Sequence, residues 1–137
     1  MWSGACVARA EAAVPSKAPV LVVDDDLDSR TLLEMALSAA GYTVVSATNG
    51  IEALAVARRF HPAVILLDLM MPIMDGYAFR AAQLSEADIA MIPVICVSGR
   101  HDAQAAARQL KTAGCVVKPF ELDTIVERVS ALVQRNH

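Results

Sequence analysis

The chain has 137 residues, long enough for one domain that buries a real core. Hydrophobic residues make up 55% and charged ones 20%, a globular balance that excludes a disordered polymer. A formal net charge of −3 supplies no electrostatic reason for direct nucleic-acid binding, and Arg58-Arg59, a lone basic pair, reads as a solvated helix end.

Residues 1–18 are Ala-rich with Pro15 nearby and show neither helical nor strand periodicity, so they are expected to form a flexible tail preceding a domain over 19–137. Trp2 and Cys6 read as parts of a leader without function. Pro19 to Val23 is a short apolar strand ending in Asp24-Asp25-Asp26. A helix is expected from about Asp28, capped by Asp28 or Ser29, with Leu32, Leu33, Ala36, Leu37 and Ala40 on its apolar face and Gly41 at its end. Tyr42 to Ala47 reads as a strand, Asn49-Gly50 as a turn or helix start, and Ile51 to Phe60 as a helix burying Ile51, Leu54 and Ala55. After the His61-Pro62 break, the run Val64-Ile65-Leu66-Leu67 has the continuous apolar character of a strand buried on both faces, and it ends on Asp68.

Tyr77 to about Leu84 reads as a helix, Ser85 to Ala90 as a polar loop, and Ile92 to Val97 as another buried strand running into Ser98-Gly99. An Ala-rich helix is expected over Asp102 to Thr112 with Gly114 stopping it. The short strand Cys115–Val117 then leads into Lys118-Pro119, and an amphipathic helix covers Glu121 to about Gln134. Strict strand–helix alternation of this kind implies an α/β fold, a parallel sheet covered on both faces. The cysteines, at 6, 96 and 115, are odd in number without metal-ligand spacing, as expected of reduced thiols, and Cys96 reads as a small core residue. No apolar run is long enough to cross a bilayer and no signal-peptide pattern opens the chain, so the expected location is the cytoplasm, without membrane attachment.

Function concentrates at the carboxyl ends of the strands, the rim where open α/β sheets collect ligands. Asp24, Asp25 and Asp26 follow the first strand, Asp68 the third, Ser98 the fourth and Lys118 the fifth. Carboxylates crowded together raise one another's pKa unless a cation sits among them, and hard oxygen ligands suit Mg²⁺. A hydroxyl and an ammonium opposite them make sense for an anion that comes and goes, with Ser98 donating a hydrogen bond to a phosphoryl group and Lys118 neutralising it. Asp68 at the centre is then the nucleophile, and the chemistry is positioning and charge neutralisation.

Val22-Val23-Asp24-Asp25, Leu66-Leu67-Asp68-Leu69-Met70-Met71-Pro72-Ile73-Met74-Asp75-Gly76, Val97-Ser98 and Val117-Lys118-Pro119-Phe120 together resemble the receiver domain of two-component response regulators, over roughly residues 19 to 134. The resemblance implies a doubly wound (βα)5, flavodoxin-like three-layer sandwich with strand order 2-1-3-4-5, as in chemotaxis regulators. It implies that Asp68 accepts a phosphoryl group from a histidine kinase or phosphotransfer protein. Mg²⁺ would be held by Asp24, Asp25, Asp68 and the main-chain carbonyl of Met70, and Ser98 and Lys118 would meet the phosphoryl group, with the Lys118–Pro119 bond cis. Asp75-Gly76 would shape the turn after the site. Such a domain is a phosphoacceptor signalling module, not an enzyme with a free substrate. It would work as a monomer or weak dimer and relay its state to a downstream protein.

Asp26 is expected to be an exposed neighbour, His101 a solvated helix-start residue, Pro72 and Gly76 simple turn formers, and Met70, Met71 and Met74 loop packing. Three departures bear on output. Cys115 stands where the family usually has an aromatic ring that turns inward on activation, Gly99 stands where Ala is usual, and the interval from Ser98 to Lys118 is shorter than the family's. Output is therefore expected through another surface or through the Ser98 loop. The end of the chain at His137 suggests a stand-alone receiver or a fragment of something longer, and a pseudo-receiver that has stopped using phosphate is the rival reading.

Overall fold

Five short runs of branched aliphatic residues form the sheet in a computed structural model that describes residues 18–99 and 103–135. The expected tail, apart from Ala18, and the expectations for Arg100, His101 and Asp102 lie outside the described residues. The elements alternate as β1 (Val20–Val23), α1 (Leu27–Ala39), β2 (Val44–Ala47), α2 (Gly50–Phe60), β3 (Val64–Asp68), α3 (Gly76–Leu84), β4 (Val94–Ser98), α4 (Ala103–Leu110), β5 (Gly114–Val117) and α5 (Leu122–Arg135). All neighbouring strands pair in parallel in the order β2-β1-β3-β4-β5, the doubly wound arrangement expected of the sequence.

Alternation along each strand divides the core in two. Leu21, Val23, Ile65, Leu67, Val94 and Cys96 point to one face, where Ala53, Leu54 and Ala57 of α2, Phe79 of α3 and Ala106 and Leu110 of α4 cover them. Val20, Val22, Val64, Leu66, Ile95 and Val116 point to the other, beneath Leu33 and Leu37 of α1 and Ile125, Val129 and Val133 of α5. Every residue of β1, β3 and β4 is buried, which explains why these strands read as unbroken apolar runs. Among the described residues no helix is long and apolar enough to cross a membrane.

The helix ends and faces differ in places from expectation. The N-cap of α1 is Asp26, whose carboxylate accepts the Ser29 amide at 2.9 Å, so the helix starts before Asp28. In α1 Leu32 is 53% exposed, and in α2 Ile51 is 56% exposed while Ala53, Leu54 and Ala57 face the sheet. Side-chain bulk is a poor guide there, because alanines let a helix approach a sheet more closely than isoleucine does. Helix α4 gives way to Lys111 at φ 55, and Gly114 opens β5 instead of stopping the helix. The polar loop after α3 hides Ile89, which is fully buried.

A buried polar network ties α3 to the end of α4. Arg80, 6% exposed, donates from Nε to the Leu110 carbonyl at 2.9 Å, from Nη2 to the Lys111 carbonyl at 2.7 Å and from Nη1 to Gln83 Oε1 at 2.7 Å. Gln83 in turn donates to the Ile89 and Ile92 carbonyls at 2.9 and 3.0 Å. The guanidinium satisfies the last carbonyls of α4, which no backbone amide reaches, although burial draws its pKa below the ordinary arginine value. Replacing Arg80 by Met leaves two buried acceptors and one part-buried acceptor without that donor. The variant is expected to lose about 1–3 kcal/mol in urea unfolding, and a loss near zero would mean that water takes over these carbonyls.

Candidate functional site

The register Val23↔Leu67 sets the ends of β1 and β3 side by side, so the next residue of each, Asp24 and Asp68, emerge together at the rim. Asp24 is 2% exposed and Asp68 6%, while Asp25 faces outward. One oxygen from each of Asp24, Asp25 and Asp68 lies within 4.8 Å of the others. Beyond Asp68, β4 ends on buried Ser98, and the Lys118 amide donates to the Ser98 carbonyl at 2.8 Å, carrying the ladder one step past β5. That bond sets the lysine at the rim, and the Lys118–Pro119 peptide is cis. Its Nζ lies 3.3 Å from Asp68 Oδ2 and 3.8 Å from Asp24 Oδ2.

Charge is unbalanced in this arrangement. Lys118 faces Asp24 and Asp68, and with Asp25 the cluster has two negative charges in excess when all three carboxylates are ionised. Burial is the main cause that pushes the Asp24 carboxyl above its ordinary pKa; the Asp26 amide, which donates to Asp24 Oδ1 at 2.9 Å, and Lys118 pull it down, and the Asp68 carboxylate pushes it up again. Arg30 donates from Nη1 to the main-chain oxygen of Asp24 at 2.9 Å and so fixes the backbone without neutralising the carboxylates. A divalent cation would balance the excess, and an all-oxygen donor set suits Mg²⁺.

The loop from Asp68 to Gly76 is held on two sides. The Met70 amide donates to Asp68 Oδ1 at 3.2 Å, and the Gly76 amide to the Leu69 carbonyl at 3.1 Å. Asp75 caps α3 by accepting the Ala78 amide at 2.9 Å, which accounts for the Asp-Gly pair. Gly76 is more than the turn former expected, because a Cβ there would fall 2.6 Å from the Asp68 carbonyl oxygen and 2.8 Å from Leu69 Cα. Gly50, read only as a helix start, is equally constrained: its amide donates to the Met74 carbonyl at 2.8 Å, and a Cβ would meet that oxygen at 2.8 Å. Ile73 adopts φ 71 inside a tight turn closed by the Met74 amide on the Pro72 carbonyl at 2.8 Å. A branched side chain in that left-handed region carries local strain. Of the methionines, Met71 and Met74 pack against the core as expected, whereas Met70 is 55% exposed.

A family model for the response regulator receiver domain matches residues 20–130. The chain belongs to this family. The receiver is 36% identical over 119 residues to a probable transcriptional regulator, ycf27, of Porphyridium aerugineum, covering 87% of this chain and 49% of that protein. It is 39% identical over 119 residues to the transcriptional regulatory protein PrrA of Mycobacterium tuberculosis, covering 85% of this chain and 50% of that one. The chain thus spans about half the length of the curated relatives it matches. Among solved structures, the chemotaxis response regulator CheY4 of Vibrio cholerae superposes with a TM-score of 0.77 at 30% identity over 84% of this chain and 98% of that one.

The receiver rim therefore gathers Asp24, Asp25, Asp68 and Lys118 in one pocket, with Ser98 joined to Lys118 through the backbone. Asp26 is an exposed N-cap, as its position outside the acid pair suggested. Sequence reasoning missed Arg30, Gly50 and the steric role of Gly76, since none carries a local signal beyond helix or turn propensity.

Asp24→Asn is expected to stabilise the receiver in chelator by about 1 kcal/mol at neutral pH. The sign follows from the raised pKa. The cost of the Asp24 charge is absent below the unfolded-chain value of about 3.9 and complete above the raised folded value, so the advantage of Asn grows as pH rises through that window. Unfolding curves of both proteins in acid and at neutral pH measure it. Gly76→Ala should cost about 1–3 kcal/mol by forcing α3 away from Asp68.

Proposed function

We propose that this receiver accepts a phosphoryl group on Asp68 from a phosphohistidine of a histidine kinase or phosphotransfer protein. The observation that carries the reading is the Lys118 ammonium 3.3 Å from Asp68 Oδ2, within a cluster whose other carboxylates belong to Asp24 and Asp25. The carboxylate oxygen of Asp68 attacks phosphorus, the phosphorus–nitrogen bond of the donor breaks, and the imidazole leaves with the electron pair. No side-chain base is required, because a carboxylate nucleophile has no proton that the attack must remove. Lys118 neutralises the oxygens of the transferred group, and Ser98 donates a hydrogen bond to one of them.

Asp24, Asp25, Asp68 and the Met70 carbonyl would hold Mg²⁺. When bound, the ion supplies charge neutralisation for the incoming phosphoryl oxygens. Asp24 and Asp25 act by keeping their carboxylates together despite mutual repulsion, and Asp68 keeps one oxygen within reach of Lys118. The domain is a phosphoacceptor in the cytoplasm, not an enzyme with a free substrate. Residues 19–137 act as one receiver unit with 1–18 as an appendage. A phosphoryl group must favour the active arrangement by a few kcal/mol to shift its population.

An apolar groove lined by Leu32, Pro119, Phe120 and Leu122 lies against Lys118, which supports a protein as phosphodonor alongside any small acyl phosphate. The relatives are named as transcriptional regulators, so transcription is an output open to a longer protein carrying this receiver. With half-buried Cys115 in place of a ring, the output is proposed to pass through the Ser98 loop or another surface to a downstream partner protein.

Incubation with acetyl phosphate and Mg²⁺ should add one phosphoryl mass to the intact protein. Chelator or Asp68→Ala should abolish the addition, and Lys118→Ala should slow it by an order of magnitude or more, about what loss of one positioned charge costs. Absence of any addition, or the same addition in Asp68→Ala, would establish the phosphate-independent pseudo-receiver instead.

A further inference from the structure

Most described Lys and Arg side chains have an identifiable partner within the fold. Arg30 meets the Asp24 carbonyl and Glu34, Arg58 pairs with Glu86, Arg59 lies over the Phe60 ring at 5.3 Å, Arg80 caps α4, and Lys118 faces Asp68 and Asp24. The remaining three, Arg108, Lys111 and Arg128, line one cavity of about 360 Å³ on the far side of β5 from the sheet. Among the described residues, no carboxylate lies within 4.0 Å of any of them.

The cations come from separate elements: Arg108 from α4, Lys111 from the residue after it and Arg128 from α5. Their convergence depends on small residues beneath them. Gly114 and Cys115 of β5 and Ala107 of α4 line the same cavity. A Cβ at Gly114 would meet Arg128 Nη1 at 2.8 Å, so glycine is what lets that guanidinium lie across the strand. Cys115 occupies the position where the family usually carries a ring, and a short side chain there leaves the cavity open.

We propose that this cavity binds a small anion carrying a diphosphate or triphosphate group. Three converging positive charges match such a group better than a single carboxylate, and two of them are guanidinium forks suited to phosphate oxygens. The volume is room for roughly a dozen waters, more than one phosphate fills. The ligand is either free pyrophosphate or a nucleotide, two sources of the same chemistry. Its seat is on β5, the strand that leads into Lys118, and Cys115 pairs in register with Cys96 of β4, the strand that ends on Ser98. This site is separate from the phosphoacceptor pocket, and its existence does not rest on the reading proposed for Asp68.

Titration of the isotope-labelled, Mg²⁺-free protein in chelator with sodium pyrophosphate, and separately with ADP, is followed by amide spectra at low ionic strength. The expected result is saturable shifts at Ala107, Thr112, Gly114 and Cys115 with submillimolar affinity. Arg128→Gln and Lys111→Gln, both exposed, should each weaken binding about fivefold, while Arg59→Gln leaves it intact. Tighter binding of ADP identifies a nucleotide as the ligand, and equal or tighter binding of pyrophosphate identifies the free anion. No saturable shift, shifts that survive both Arg128→Gln and Lys111→Gln, or binding of a hexaglutamate peptide in place of either phosphate compound would overturn the proposal.

Discussion

The pairing of Lys118 with the buried carboxylates at the sheet's rim is the interaction on which the rest of the structure depends. Two aspartates almost removed from water are costly unless a cation stands beside them, and one ammonium answers only part of their charge. The residual negative charge would make the pocket receptive to a divalent ion, and the ammonium would make it receptive to an anion. A parallel sheet suits this arrangement because each strand ends at the same rim, so side chains from three strands and the residues after them converge without any long loop.

Around that pocket the backbone is held tightly by residues that take no part in the chemistry. Gly76 brings the start of α3 into contact with the Asp68 carbonyl, Gly50 receives the Met74 carbonyl, and Arg30 fixes the backbone of Asp24. The strained turn at Ile73 is maintained between the contacts of Gly50 and Gly76. From the middle of α3, Arg80 secures the end of α4 by hydrogen bonds to the Leu110 and Lys111 carbonyls. The loop at the site is thus clamped by one set of contacts and the neighbouring helices by another.

Replacement of a ring by Cys115 has consequences on the face away from the phosphoacceptor pocket. The thiol packs against the core beside Cys96, and burial, with the neighbouring Cys96, pushes its pKa up to about 11, so it is a packing residue at neutral pH. No aromatic ring stands at position 115. Cys115 also lines the cavity bordered by Arg108, Lys111 and Arg128.

The sequence by itself determined the class of fold, the strand order through its family resemblance, and the acids and the lysine at the strand ends. Unbroken apolar runs ending in charged residues leave little freedom: the runs must be buried on both faces and the charges must emerge where the strands stop. Tertiary structure alone decided which face of α2 is buried, where α1 begins and why Gly50 and Gly76 have no side chain. Those outcomes depend on the distance between elements far apart in the chain, and a period of 3.6 residues carries no information about how closely a helix approaches its sheet. The convergence of three unpaired cations beside β5 was equally illegible, because Arg108, Lys111 and Arg128 look like ordinary solvated residues until the fold brings α4 and α5 to the same edge.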